Sequence, residues 1–461
     1  MNVVRGLLIG IDVGTTTTKA MAIDSISGNV VAAAKAPTRW DVGAFSEVQT
    51  DIDRFADDAI AVMAQAAEQV PTAPVLGIGI TGLAETGAVI DHRGRAITPA
   101  MAWYDQRGKD ELAALPADFH ERFSAVTGLA YKSECSFSKL LWLRKQGVTI
   151  ESGDTWANAL EYIAFRLTGV RTTEPSLASR TGLLDQAAVT AWNEALDLIG
   201  VDSTFLPAVT SAGTTIGHAL ELAPGRLRGA AVTVAGHDHL VGAVGAGATG
   251  VDDLYDSCGT ADVIVRTVPR TLTNDERAGL VGRGLSAGRH VLPGATAILG
   301  ATRSGLVLGR ILAMLGASDL SARRALADAW IKRSVDASKV SVEEPAGWTN
   351  EVTVRLRDSA TQAEVWEAAM DYVLDQTSDL LQSIEQTAGP YENAIAAGGW
   401  SRLDGVFRGK AGLMPGLRCS PVDEAGARGA ALFAAQAAGV DATDWNPETF
   451  AQHTTDEEPR T

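Results

Sequence analysis

Two distant stretches of this chain carry the same local pattern, and that repetition constrains the fold more than any other feature. Leu7 to Ile11 is an apolar run, Asp12-Val13-Gly14 breaks it, Thr15 to Thr18 follow, and Lys19 to Asp24 resumes strand character. Asp256-Ser257-Cys258-Gly259-Thr260-Ala261-Asp262, followed by Val263 to Val265, repeats the order of strand, polar Gly-Thr turn and strand. Each reads as a β-hairpin. A turn of this kind presents closely spaced N–H groups and hydroxyls to phosphate oxygens, and Asp12 at a strand end suits a divalent cation. The first turn lacks Walker A spacing, and a plain glycine-containing hairpin would satisfy the same residues. Taken as a pair, the turns predict two similar domains facing each other across a cleft that takes a polyphosphate. Cys258 reads as a small residue in its turn.

Length agrees with duplication, since 461 residues exceed what one core organises. The formal charge of -17 disfavours nucleic acid and anionic membrane as partners, but not a nucleotide held by backbone N–H groups and a cation. No apolar run approaches the roughly 20 residues that cross a bilayer, and MNVVRGLLIGID has no cleavage site, so a cytoplasmic protein is expected. The three cysteines are far apart and lack C-x-x-C spacing, which argues against structural zinc.

Ala231 to Leu240 reads as a buried β-branched strand (Val232, Thr233, Val234) that Gly236 lets the backbone leave, so Asp238 sits at a strand end beside a helix start. Ligands gather at such ends in open α/β folds, which makes Asp238 the candidate base for a substrate hydroxyl. An aspartate there also serves as a plain N-cap. His237 and His239 would suit a metal site, but no further ligand cluster is visible, and a histidine there can simply hydrogen-bond substrate.

Other segments supply the surroundings. Asp51 to Val70, Ser138 to Leu143, Trp156 to Arg166, Thr361 to Gln386 and Gly426 to Ala438 read as helices, and Val75 to Thr81 and Leu417 to Val422 as strands. Glu85 after one strand, Trp103 and Asp105 in a second delivery, and Glu134 could bind sugar hydroxyls or stack on a carbon chain; loop and core readings stay open for them. Ser176 to Leu184 suits a surface loop or an interdomain rim. Ala297 to Met314 places a Gly/Ser/Thr turn (Gly300, Thr302, Arg303, Ser304 and Gly305) before an apolar helix. Ala394 to Gly399 leads a strand into Gly398-Gly399-Trp400-Ser401, where paired glycines admit a flat ring such as adenine. The literal G-x-G-x-x-G at Gly245, Gly247 and Gly250 ends a helical segment, so it reads as close helix packing rather than dinucleotide binding. Turn residues at Pro224-Gly225 set the expected domains at 1–229 and 230–440, with an acidic, loose tail over 441–461.

In order, IGIDVGTTTTKA (9–20), ITGLAETG (80–87), AWYDQRG (102–108), AGHDHLVGAVGAG (235–247), SCGTAD (257–262) and AAGGWSRLDGVF (396–407) resemble the FGGY family of carbohydrate kinases over nearly the whole chain. The resemblance implies an α/β protein of two ribonuclease-H-like domains, of the actin and sugar-kinase type, flanking an ATP and sugar cleft. By that resemblance Asp12 is the Mg2+-associated aspartate, shared with Asp238. Gly14, Thr15, Thr16, Thr17 and Lys19 belong to the first phosphate motif, Gly259 and Thr260 to the second, and Gly305, Gly398, Gly399 and Ser401 to the rest of the nucleotide site. Asp238 is the catalytic aspartate, with Glu85, Trp103, Asp105, Glu134 and His239 around the sugar. Two departures weaken a named substrate: Gly236-His237-Asp238-His239 replaces the Gly-Gly-Asp-Asn type of xylulose kinases, and Ala84 stands where glycerol kinases carry an arginine. The implied reaction is ATP-dependent phosphorylation of a small sugar, a xylulose-like ketose first, with polyol or sugar-acid kinases and an actin- or chaperone-like ATPase as alternatives. A sugar sensor without catalysis fits less well, since Asp12 and Asp238 are both present. Expected partners are ATP, the carbohydrate and a second copy in a homodimer.

Overall fold

Both duplicated hairpins form, and each founds a sheet of six strands. In the first sheet the order is Gly217–His218, Ala231–His237, Val75–Gly82, Leu7–Val13, Thr17–Asp24, Val30–Pro37. In the second it is Ser286–Arg289, Thr296–Thr302, Asp262–Val268, Asp253–Cys258, Asn393–Ala397, Leu417–Cys419. The computed structural model describes residues 5–44, 47–317, 319–328, 339–344, 351–357 and 359–445.

The two sheets share one plan. A three-strand antiparallel meander opens each, and two parallel strands are then added on the far side of its first strand. Each sheet also gains one antiparallel edge strand. The central strand Leu7–Val13 is apolar on both faces, as a strand covered on both sides must be. Val30–Pro37 at the edge alternates buried and exposed positions near its start.

Helices Ile52–Glu68 and Ala159–Thr168 cover one face of the first sheet. The opposite face is covered by Ala425–Ala437, near the C-terminus, packed beside Asp238–Ala246. Small residues permit this return. A Cβ at Gly10, Gly79 or Gly245 would lie 2.0, 1.9 or 1.8 Å from the carbonyl oxygens of Ala427, Ala430 and Ala425. Gly245 of the G-x-G-x-x-G thus serves close packing.

Several expected boundaries need correction. The break after Gly229 does not divide the halves: Ala231–His237 pairs with Val75–Gly82 in the first sheet and with Gly217–His218 across the Pro224-Gly225 turn. That turn is a connection within one sheet, pinned by Arg226 to the carbonyls of Val70, Pro71 and Ala73. The helix expected from Trp156 begins at Ala159, because Asn158 and Glu161 form a capping box that ends the strand Thr155–Asn158. Leu417–Cys419 is shorter than expected, and Gly300 lies inside the strand Thr296–Thr302. Ser176 to Leu184 is mostly buried, so it is not a surface loop. Of the expected loose tail, Trp445 is buried against Gly28, and residues 446–461 lie outside the described residues.

Candidate active site

Three neighbouring strands end together at the cleft. Asp12 of Leu7–Val13 is in register with Thr81 of Val75–Gly82, which is in register with Gly236 of Ala231–His237. The Thr81 hydroxyl donates to the Gly236 carbonyl at 2.6 Å, locking the two ends. Gly82 (φ +152°) and Gly236 (φ +113°) then turn the backbone out of the sheet through conformations that disfavour a side chain. These exits carry Asp12, the Leu83–Thr86 loop and Asp238 to one mouth.

Asp238 is the first residue of the helix Asp238–Ala246, and its carboxylate is half-buried. Its Oδ1 accepts from the His239 amide at 2.7 Å, with His237 Nε2 at 3.2 Å and His239 Nε2 at 3.8 Å. Burial pushes the His237 pKa down to about 4, so its ring is neutral near pH 7 and adds no charge beside the carboxylate. Burial, then repulsion from Asp238 and Glu424, pushes Asp12 up to about 7 against the opposing Lys19 charge. Crowded carboxylate oxygens of this kind fit a hard divalent cation. Gly426 makes room for them: a Cβ there would sit 2.3 Å from Asp12 Oδ2.

The two turns expected to take phosphates differ in how they are held. In the first, the Gly14 amide donates to Thr17 O at 3.2 Å, and Trp40 and Trp103 indoles donate to the Thr15 carbonyl (2.7 Å) and hydroxyl (3.1 Å). Thr16 at the tip is exposed. Lys19 is not free beside this turn, since its Nζ is paired with Glu424 at 2.7 Å. In the second, Gly259 is half-buried and Thr260 exposed, and Gly305 packs directly beneath: its Cβ would lie 1.9 Å from Gly259 O. Gly398 (φ +108°) likewise crowds Cys258 O. Ser401 is buried and donates to Gly398 O at 2.7 Å, so its hydroxyl shapes the loop rather than facing a ligand; Gly399 alone of this group stands in open space. Beneath the hairpin, buried Lys410 bridges Asp256 (2.7 Å) and Asp262 (2.5 Å).

Around the expected sugar side, Glu85 pairs with Arg180 at 2.7 Å. Trp103 is half-buried, edge-on to Tyr104, and Glu134 keeps a buried Oε2 without a partner among the described residues. Asp105 is a correction. It is buried, both carboxylate oxygens are taken by Arg107 and the Val48 amide, and despite burial these partners hold its pKa below the usual range. It staples a loop and leaves no oxygen for a sugar. Arg180, Glu424 and Lys410 were missed by sequence reasoning. Only the Ser-rich run before Arg180, already readable as an interdomain rim, hinted at one of them.

Comparison with known proteins identifies the family and the fold. The model of the FGGY family of carbohydrate kinases, N-terminal domain, matches residues 7–245. A glycerol kinase from Methylorubrum extorquens (strain PA1) is 31% identical over 230 residues, covering 47% of this chain and 46% of that protein. An L-fuculokinase from Escherichia coli (strain K12) is 26% identical over 272 residues, covering 56% of each. In these matches the chain spans about half the length of the curated relatives. A solved xylulose kinase from Rhodospirillum rubrum superposes with a TM-score of 0.80 at 23% identity, over 96% of this chain and 92% of that one, which shows the shared two-domain fold.

Proposed function

Because the chain belongs to the FGGY family of carbohydrate kinases, we propose that it transfers the γ-phosphoryl group of ATP to a hydroxyl of a small neutral sugar, a xylulose-like ketose before a polyol. The observation that carries this reading is Asp238 standing at a helix N-terminus beside Asp12, at the mouth where three strands end. The nearby acids Glu85, Glu134, Asp12 and Asp238 speak against a sugar acid, since the guanidinium of Arg180 is already paired.

In this reading the turns at Gly14–Thr17 and Gly259–Thr260 receive the phosphates through backbone N–H groups and hydroxyls. Asp12, with Asp238, would hold Mg2+, which supplies charge neutralisation at the β- and γ-phosphates. Asp238 orients the acceptor hydroxyl and takes its proton late, because phosphoryl transfer demands positioning more than prior deprotonation. Neutral His237 adds no charge beside the Asp238 carboxylate.

The test is a coupled ADP-release screen over four- to seven-carbon ketoses, polyols and sugar acids. Stimulation by a neutral ketose or polyol is expected. ATP binding with no stimulation by any compound would transfer the case to an actin- or chaperone-like ATPase.

A further inference from the structure

Lys410 lies at the foot of the hairpin whose turn is Gly259–Thr260. It belongs to the helix Asp404–Leu413, which follows the loop over 398–402. Its Nζ donates to Asp256 Oδ2 at 2.7 Å and to Asp262 Oδ2 at 2.5 Å, so one ammonium group grips both strands of the hairpin. Asp262 is in register with Cys258, the last pair before the turn. Asp256, Cys258 and Asp262 are all buried, and each brings one donor atom within 4.8 Å of the other two.

The charge balance there is tight. Asp256 Oδ1 is buried without a partner among the described residues, and burial, then Asp256, pushes Asp262 up against the opposing charge of Lys410. Without the ammonium the two acids would repel each other or take up protons, and either change strains the strand ends that carry them.

The same place joins the two parts of the proposed nucleotide site. A Cβ at Gly398 would lie 2.5 Å from Cys258 O, and one at Gly305 would lie 1.9 Å from Gly259 O and 2.6 Å from Trp400 Nε1. Gly259, Asp262, Gly305, Trp400 and Lys410 line one small cavity. The glycines permit close approach of loop and turn, whereas Lys410 ties them by ionic hydrogen bonds.

We infer that Lys410 is a positioning residue for the nucleotide phosphates: as a tethered cation between Asp256 and Asp262 it holds the Gly259–Thr260 turn at a fixed spacing from the loop over 398–402. This role rests on the kinase reading above, in which that turn takes phosphate and that loop takes the base. Lys410 acts through the turn.

The experiment uses the full chain and measures ADP binding with Mg2+ by calorimetry and adenosine binding by ligand-observed NMR. Lys410→Met should raise the Kd for ADP by about 10- to 100-fold, as misplacing a binding group does, and leave that for adenosine within a factor of about three. Adding Asp256→Asn and Asp262→Asn to it removes the uncompensated acids, and ADP affinity should return to within a factor of about five of wild type. A merely structural role would weaken ADP and adenosine alike, and that pattern overturns the inference. Unchanged ADP affinity in Lys410→Met overturns it, and so does a triple variant that fails to recover. If melting curves show that Lys410→Met does not fold, Lys410→Met with Asp262→Asn, which keeps one unpaired acid, takes its place under the same criteria. A wild-type chain that binds no ADP refutes the kinase reading instead.

Discussion

Asp238 and Glu174 illustrate opposite uses of a carboxyl group. Asp238 is half-buried and accepts a hydrogen bond from the His239 amide, so Asp238→Asn keeps shape and removes the carboxylate proposed to take the acceptor's proton. Transfer should fall by about 10²- to 10⁴-fold with nucleotide binding retained, read by rate and by calorimetry with a non-hydrolysable analogue. Wild-type turnover would remove Asp238 from the mechanism. Glu174 is sealed in the fold with Oε1 unpartnered among the described residues, and burial pushes its pKa up to about 8. The unfolded chain gives up that proton near the ordinary carboxyl range, whereas the folded chain keeps it until about pH 8, so its contribution is full at acid pH and lost as pH rises through that window. The melting temperature of wild type should decline from pH 5 to 8, and Glu174→Gln should flatten that slope; an unchanged slope would show Glu174 ionised in the fold. Asp12 and Asp238 were legible because a strand end and a glycine exit leave marks in a few adjacent residues. Arg180 and Glu424 were not, because their partners Glu85 and Lys19 lie 95 and 405 positions away. Asp105 misled for the same reason: its motif was visible, but not the Val48 amide that occupies it.

At the scale of elements, the decisive feature is that Ala425–Ala437 crosses back to the first sheet at backbone contact. Gly245→Ala tests it. The new methyl would stand 1.8 Å from the Ala425 carbonyl, so the helices must separate, at a cost of about 1–3 kcal/mol. Because the same displacement moves Gly426 and Glu424 away from Asp12, nucleotide affinity should drop together with melting temperature; a destabilised variant with wild-type affinity would show that the helix does not position Asp12. The duplicated hairpins were readable because a hairpin is local. The return of the last helix was not, since alanine and glycine signal close packing without naming the partner. The break placed at 229 failed for a related reason: Pro-Gly marks a turn, and only the pairing of Gly217–His218 with Ala231–His237 reveals that the turn joins strands of one sheet.

For the whole molecule, the two halves meet in two unlike ways. On one side Asp238–Ala246 and Ala425–Ala437 interlock through glycines, where a Cβ at Gly429 would lie 2.1 Å from Val241 O, so sliding there is blocked. On the other side the helix Ala117–Thr127 packs against Asn274–Gly282 and Gly128 approaches Ala287 closely, a Cβ there lying 2.3 Å from Ala287 O, and side-chain hydrogen bonds add to this: Arg277 to Ala125 O at 2.7 Å, the Arg289 amide to Ser179, and Arg180 to Ser286. The side-chain bonds exchange with water at small net cost, about 1 kcal/mol each. The prediction is that the interlocked helices act as a pivot and that this rim opens, moving the turns at Gly14–Thr17 and Gly259–Thr260 apart. In the proposed kinase reading, opening would admit ATP and acceptor, and closure would keep water from the γ-phosphate. Small-angle scattering should give a smaller radius of gyration with acceptor plus a non-hydrolysable nucleotide than without ligands. Weakening the rim by Ser179→Ala with Ser286→Ala should enlarge the unliganded radius and leave the melting temperature of the pivot-dependent core nearly unchanged. Identical radii in all these states would mean that the halves do not move and that water is excluded by side chains alone.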